Sequence, residues 1–276
     1  KIRMFVASKK AVNRKTETLR QYTKEICNML TFLGKRLEDI TGMDLRYYYG
    51  VMREKRGIKM STMQTRLHYL SSFWDFLNSE ELIRSNPVKK VGALKLEKTI
   101  KKPFTAEELE ALRESCQELR DRALVEFLYS TGVRVSELAA LNVADIEMGK
   151  QELIVYGKGS KERKTYLTDS AKFYLRRYLQ ERDAKPDEPL FVTLDAPHDR
   201  LSVAGIQYML RQLGRRAGVT GVHPHRFRRT IATDLLNRGM PIEQVKEFLG
   251  HEKLDTTMIY CAVRAESVKA SHRKYA

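Results

Sequence analysis

A chain of 276 residues has length for two domains, each able to bury its own core. With 42% hydrophobic and 31% charged residues it reads as soluble and globular; no apolar run approaches the roughly 18 residues of a membrane span, and no signal peptide opens it. Membrane partners are therefore not expected, and the three cysteines, Cys27, Cys116 and Cys261, lack metal-ligand spacing and suit a reduced, cytoplasmic compartment. Because residue 1 is Lys rather than Met, the sequence reads as a piece of a longer protein.

The charge is more informative. Lys and Arg number 51 against 35 acids, a net of +16 with an isoelectric point near 9.7. Residues 1–100 hold 21 basic and 10 acidic side chains, a larger excess than the 30 and 25 of the remainder. Such a surplus points to a polyanionic partner, with a solvated basic surface as the plain alternative.

The first hundred residues read as helical. In ETLRQYTKEICNMLTFLG, Leu19, Tyr22, Ile26, Leu30 and Leu33 recur at three- and four-residue spacing, and Gly34 stands where a helix would end. A second helix is expected over Met43 to Lys55, ahead of Gly57. A third runs through STMQTRLHYLSSFWDFLNSE, with Leu67, Leu70, Trp74 and Leu77 on a core face and Thr62, Thr65 and Arg66 on the other. Those three polar groups suit contact with DNA backbone or base edges. Asn86-Pro87 then breaks the pattern.

The lysine-rich stretch from 89 to 104 has neither period. It reads as a linker, centred on 96–104, that either follows a phosphate backbone or is a solvated tether. Thr105 with Glu108 forms a capping-box signature, so a new helix begins after Pro103. Helices continue through EFLYS and VRVSELAALN, while ELIVYG and KERKTYL form a hairpin around Gly157, Gly159 and Ser160. A helix over 169–182, a strand at PLFV and helices near 202–216, 224–238, 241–249 and 255–263 follow. No internal repeat is visible. The fold class expected is mainly α, with a small antiparallel sheet in the second domain.

Metal-free cleavage of a phosphodiester needs a nucleophile, cations on the two non-bridging oxygens and a proton donor for the leaving oxygen. Arginine suits the grip because its planar fork binds phosphate bidentately and stays charged. Candidates are Arg134 in STGVRVSEL, Lys158 in GKGSKER, His225 and Arg228 in HPHRFRRT, His251 in LGH, and Tyr260 nine residues later. Each alone has a bland reading: an exposed arginine, a tight turn, a surface pair, an aromatic packing the last helix.

Their order and spacing resemble the tyrosine recombinase family of phage integrases and Xer proteins, over about residues 105–263. The resemblance implies a core-binding, SAM-like helical bundle over 1–95, a basic linker over 96–104 and a catalytic domain with a C-terminal tail over 105–276. Tyr260 would attack the scissile phosphate, giving a 3′-phosphotyrosine and a free 5′-hydroxyl. Arg134 and Arg228 would bind the non-bridging oxygens, Lys158 would protonate the leaving oxygen, His251 would donate to the phosphate, and His225 would assist proton removal from the tyrosine. Arg66 and Lys161 are the DNA-contact candidates. The implied partner is a double-stranded recombination site, held by a homo-tetramer on two duplexes through exchange of the tail from Arg264 to Ala276, with no cofactor and no metal. One departure is that Arg229 and Thr230 follow Arg228, where the family often has His. The rival readings are a type IB topoisomerase-like enzyme and a DNA-binding regulator that no longer cleaves.

Overall fold

The computed structural model describes residues 1–92, 94, 102–156, 162–251, 254 and 257–258. The chain divides into two units, Lys1–Thr99 and Ile100–Ala276. Each is held by its own cluster of apolar side chains.

The first unit is helical. It comprises α1 (Ile2–Ala11), α2 (Thr16–Leu33), α3 (Gly42–Arg56) and α4 (Met60–Ser79). α2 ends where expected, with Gly34 in the left-handed conformation, φ 61°, and its N–H on the Leu30 carbonyl. α3 starts at a capping box, in which Thr41 and Asp44 each accept from the other's backbone N–H. Gly57, φ 58°, closes it. The stripe read from the sequence lies inward: Leu67, Leu70, Trp74 and Leu77 of α4 are buried, with Leu19, Tyr22 and Ile26 of α2. α1 is an addition to the sequence reading, which gave these residues no separate helix because no capping residue announces it. Its Phe5 is fully buried, edge-on to Tyr22 and Phe73 at 5.4 and 5.3 Å, so tertiary packing rather than local signal fixes it.

The second unit begins on residues assigned by sequence to the linker. The Phe104 ring is buried and its N–H donates to Thr230 Oγ1 at 2.9 Å. Arg226 lies over the same ring at 4.1 Å and donates to the Pro103 carbonyl at 3.1 Å, while Arg229 donates to that of Lys102 at 2.9 Å. Linker residues 96–101 lie outside the described residues. The Thr105–Glu108 capping box then opens α5 (Ala106–Glu114).

α6 (Leu119–Thr131) runs through the core, with Ala123, Leu124, Val125, Phe127 and Leu128 all buried. It packs against α8 (Asp169–Glu181) and α10 (Pro224–Asn237). Its buried Glu126 accepts from Arg113 at 2.9 and 3.0 Å and from Arg122 at 3.0 Å, which offsets the cost of burying the carboxylate. α7 (Val135–Ala140) meets α9 (Val203–Arg216). α11 (Ile242–Leu249) packs on α10 through Ala232, Leu236, Val245 and Leu249, a small apolar cluster of its own.

The sheet has three antiparallel strands in the order β1 (Ile146–Glu147), β2 (Glu152–Tyr156), β3 (Glu162–Tyr166). The expected hairpin is β2 with β3, paired from Glu152↔Tyr166 to Tyr156↔Glu162. β1 was not foreseen, being two residues long. The strand expected at PLFV is a correction. Those residues make only the isolated bridges Asn142↔Pro189 and Val192↔Arg200, since proline has no N–H to donate and neighbouring loops take the remaining groups. Of the expected helix over 255–263, only Thr257 and Met258 are described, and both are helical.

Trp74 is the chain's one tryptophan and is buried in the first unit, so its fluorescence reports on that unit alone. Leu70→Ala opens a cavity beside it and should lower that unit's stability by about 2–5 kcal/mol. In a denaturant titration the Trp74 transition should move to lower concentration. An unmoved transition would place Leu70 outside the unit's core.

Candidate active site

The site is built around the end of α11. An α-helix leaves its last carbonyls without intrahelical partners, and these carry the negative end of the helix dipole. Here every one is accounted for. Gly250, φ 64°, ends the helix; its N–H donates to the Glu247 carbonyl at 2.9 Å and the N–H of His251 to that of Lys246 at 3.1 Å. The next three carbonyls accept from three arginines. Arg163 Nε donates to Phe248 O at 3.1 Å, Arg228 Nη2 to Leu249 O, and Arg134 Nη2 to Gly250 O at 3.0 Å.

Each arginine arrives on a different element. Arg134 follows the left-handed Gly132 that closes α6 and is the residue from which α7 starts. Arg228 lies on the inner face of α10, 4% exposed, with Nη1 on the Gly132 carbonyl. The same turn thus presents one arginine and accepts from another. A side chain at Gly132 would meet Ile231 and Leu249 at 3.1 Å, which keeps this turn close to α10 and α11. Arg163 lies on β3.

Glu137 ties two of the three together. It accepts from Arg134 Nη1 at 2.8 Å, from the Arg134 backbone N–H at 2.8 Å, and from Arg163 Nη1 and Nη2 at 3.0 and 2.8 Å. Burial alone would raise its carboxyl, yet the hydrogen bonds from Arg163 and Arg134 win and hold it down at about 2. Glu137 and Arg163 are residues the sequence reading passed over. A signal was available for Arg163: it stands two before Thr165 on a strand, so both share the inner face, and a cation there needs a carboxylate partner.

His251 follows the α11 cap directly. Its Nδ1 is 2.9 Å from Oγ1 of the fully buried Thr257. Burial, and then the positive charges of Arg228, Arg134 and Arg163, push its imidazole down to about 4 from an ordinary 6.5, so it is neutral near pH 7.

Of the six candidates, then, Arg134, Arg228 and His251 converge on the end of α11. His225 lies in the first turn of α10, exposed, three residues before Arg228 and therefore on the same side of the helix. Lys158, Lys161 and Tyr260 lie outside the described residues. Among those described, no group of three or more His, Cys, Asp or Glu side chains could hold a metal ion.

Arg66 belongs to the first unit, where α2 and α4 flank a polar cleft of about 390 Å³ lined by Lys24, Asn28, Thr62 and Thr65 among others. Its Nε is 3.5 Å from Glu25, a buried carboxylate that also accepts from Tyr49 Oη at 3.0 Å and Tyr48 Oη at 3.3 Å. Burial raises the Glu25 carboxyl despite these partners. Arg66 itself lines this cleft, its side chain 30% exposed.

Residues 98–267 match the phage integrase family. Tyrosine recombinase XerC of Leptospira interrogans serovar copenhageni is 33% identical over 273 residues, spanning 95% of this chain and 88% of the relative. Tyrosine recombinase XerC of Listeria monocytogenes serotype 4b is 34% identical over 280 residues, spanning 95% and 92%. Among solved structures, the XerH site-specific recombinase, bound to palindromic difH substrate in a post-cleavage complex, superposes with a TM-score of 0.78. At 21% identity, over 96% of this chain and 81% of that one, this is a likeness of fold. By family match and by whole-chain identity, the protein belongs to the phage integrase family and is a tyrosine recombinase.

Proposed function

We propose that this protein cuts and rejoins double-stranded DNA at a specific recombination site through a 3′-phosphotyrosine on Tyr260. The observation that carries the reading is the convergence of Arg134, Arg228 and His251 at the end of α11. Two guanidiniums and a neutral imidazole gathered at one helix end are the donors that a phosphate gaining equatorial charge requires.

The chemistry follows from the donors. The Tyr260 oxygen attacks phosphorus, helped by His225 accepting its proton, and the 5′-oxygen leaves with a proton from Lys158. Arg134 and Arg228 bind the non-bridging oxygens throughout. His251 is neutral, so it has one N–H to give. Nδ1 is 2.9 Å from the Thr257 hydroxyl, and we assign the tautomer in which that hydroxyl donates to Nδ1 and the proton stands on Nε2 for a phosphate oxygen. The phosphodiester's energy is kept in the phosphotyrosine, so the reverse attack by a 5′-hydroxyl reseals DNA without a nucleotide cofactor.

With one Tyr260 per chain, exchanging both strands of two duplexes takes four chains. The functional unit is therefore a homo-tetramer, joined by the C-terminal tails, in the cytoplasm. Arg66 and Lys161 contact DNA, and the cleft beside Arg66 serves the first unit's share of the duplex.

Three measurements test this. Tyr260→Phe removes one hydroxyl, so it should bind DNA as the parent does yet form no covalent complex with a nicked suicide substrate; an adduct in the Phe variant would move the nucleophile elsewhere. Lys158→Ala should cleave ordinary DNA slowly but a substrate with bridging 5′-sulfur almost normally, because a thiolate leaves with little need of a proton. A defect of equal size on both substrates would make Lys158 a binding residue.

The third is thermodynamic. Below pH 6.5 the unfolded chain takes up a proton that the folded His251 refuses down to about 4. Stability from the neutral imidazole is thus complete above pH 6.5 and is lost as pH falls toward 4. His251→Asn removes this titration, so its melting temperature should fall less steeply than the parent's from pH 6.5 to 4.5. Parallel curves would contradict the depressed imidazole.

A further inference from the structure

We propose that Arg163 is a positioning residue for DNA cleavage, holding Arg134 through Glu137 and holding the end of α11 through the Phe248 carbonyl. The inference rests on the reading of Arg134 as a phosphate ligand and adds a residue to it.

The geometry is specific to a guanidinium. Arg163 is fixed through all three of its nitrogens, Nη1 and Nη2 on the two Glu137 oxygens and Nε on Phe248 O. At 9% side-chain exposure little of it meets solvent. What it holds is exposed: the Arg134 side chain, 34% accessible, shares Glu137 at 2.8 Å. Without Arg163, Glu137 would be a buried carboxylate with Arg134 as its only cationic partner among the described residues, and Arg134 would be drawn inward to satisfy it. With Arg163 the carboxylate is neutralised from behind, leaving Arg134 aligned by one nitrogen on Glu137 and one on Gly250 O.

The backbone supports the same assignment. A side chain on Gly250 would come within 2.7 Å of Arg163 Cδ, so the arginine stem lies directly against the α11 cap. Through that contact and through Phe248 O, β3 and α11 are held as one piece. Since His251 follows Gly250 directly, the same brace sets where the imidazole stands. A lysine, with a single nitrogen, cannot hold both Glu137 oxygens and the Phe248 carbonyl at once, so this three-point brace requires the guanidinium.

The test is single-turnover cleavage of a suicide substrate by the full chain, alongside DNA affinity and thermal melts. Arg163→Lys keeps the charge and loses the fork. It should bind DNA within about threefold of the parent yet cleave about 10- to 100-fold more slowly, the scale expected of a misplaced group. Because Arg163 acts partly through Arg134, the double variant Arg134→Lys/Arg163→Lys should be less impaired than the product of the two single defects. Should Arg163→Lys fail to fold, Glu137→Gln probes the pair from its other side, keeping volume and one acceptor, and the same slow cleavage with retained binding is expected. Parental cleavage by Arg163→Lys, or fully multiplicative defects in the double variant, would overturn the inference. Parental cleavage by Arg134→Lys would instead overturn the role given to Arg134 above.

Discussion

Everything at this site hangs on a helix end that cannot satisfy itself. The carbonyls closing α11 are an electrostatic sink, and the protein fills it with two backbone N–H groups from its own cap and three arginine side chains from α10, β3 and the turn before α7. Segments more than a hundred residues apart in sequence are thereby brought to one place. Glycine ends the helix because its φ of 64° is left-handed and because a side chain at Gly250 would meet Arg163 Cδ at 2.7 Å. The imidazole next in the chain stays neutral chiefly because it is buried, and then because it is surrounded by cations that the carbonyls and Glu137 hold in position.

Arginine is used here in two ways that a count of charges would merge. Arg113 and Arg122 on Glu126, and Arg163 on Glu137, are bound to buried carboxylates and spend their forks inside the protein. Arg134 divides its fork between Glu137 and a carbonyl while a third of its side chain meets solvent. The count of 51 Lys and Arg therefore overstates the cations available to DNA, since several in the second unit are taken up by its architecture.

Much of this was legible in the sequence. The stripe through Leu67, Leu70, Trp74 and Leu77, the glycines at 34 and 57, and the Thr105–Glu108 box are local signals, and local signals survive folding when packing agrees with them. The order of Arg134, Arg228 and His251 was legible too, although only a family pattern could assemble it. What escaped was nonlocal. α1 has no cap and exists because Phe5 finds aromatic neighbours on α2 and α4. PLFV has the composition of a strand but no strand beside it. Arg163 reads as one more basic residue of the charged strand KERKTYL, because its carboxylate partner lies twenty-six residues away in the chain.

The first residues after the linker have a mechanical meaning. Lys102, Pro103 and Phe104 are hydrogen-bonded to α10, by Arg229, by Arg226 and by Thr230, with the Arg226 guanidinium laid over the Phe104 ring. These anchors flank Arg228 on the same helix. A pull arriving at residues 102–104 is therefore delivered to α10 by these bonds, as well as to the apolar cluster that buries Phe104. It enters within two residues of Arg228, whose own fork holds the Gly132 turn and the end of α11, so tension at the start of the second unit is passed to the place where those two turns meet.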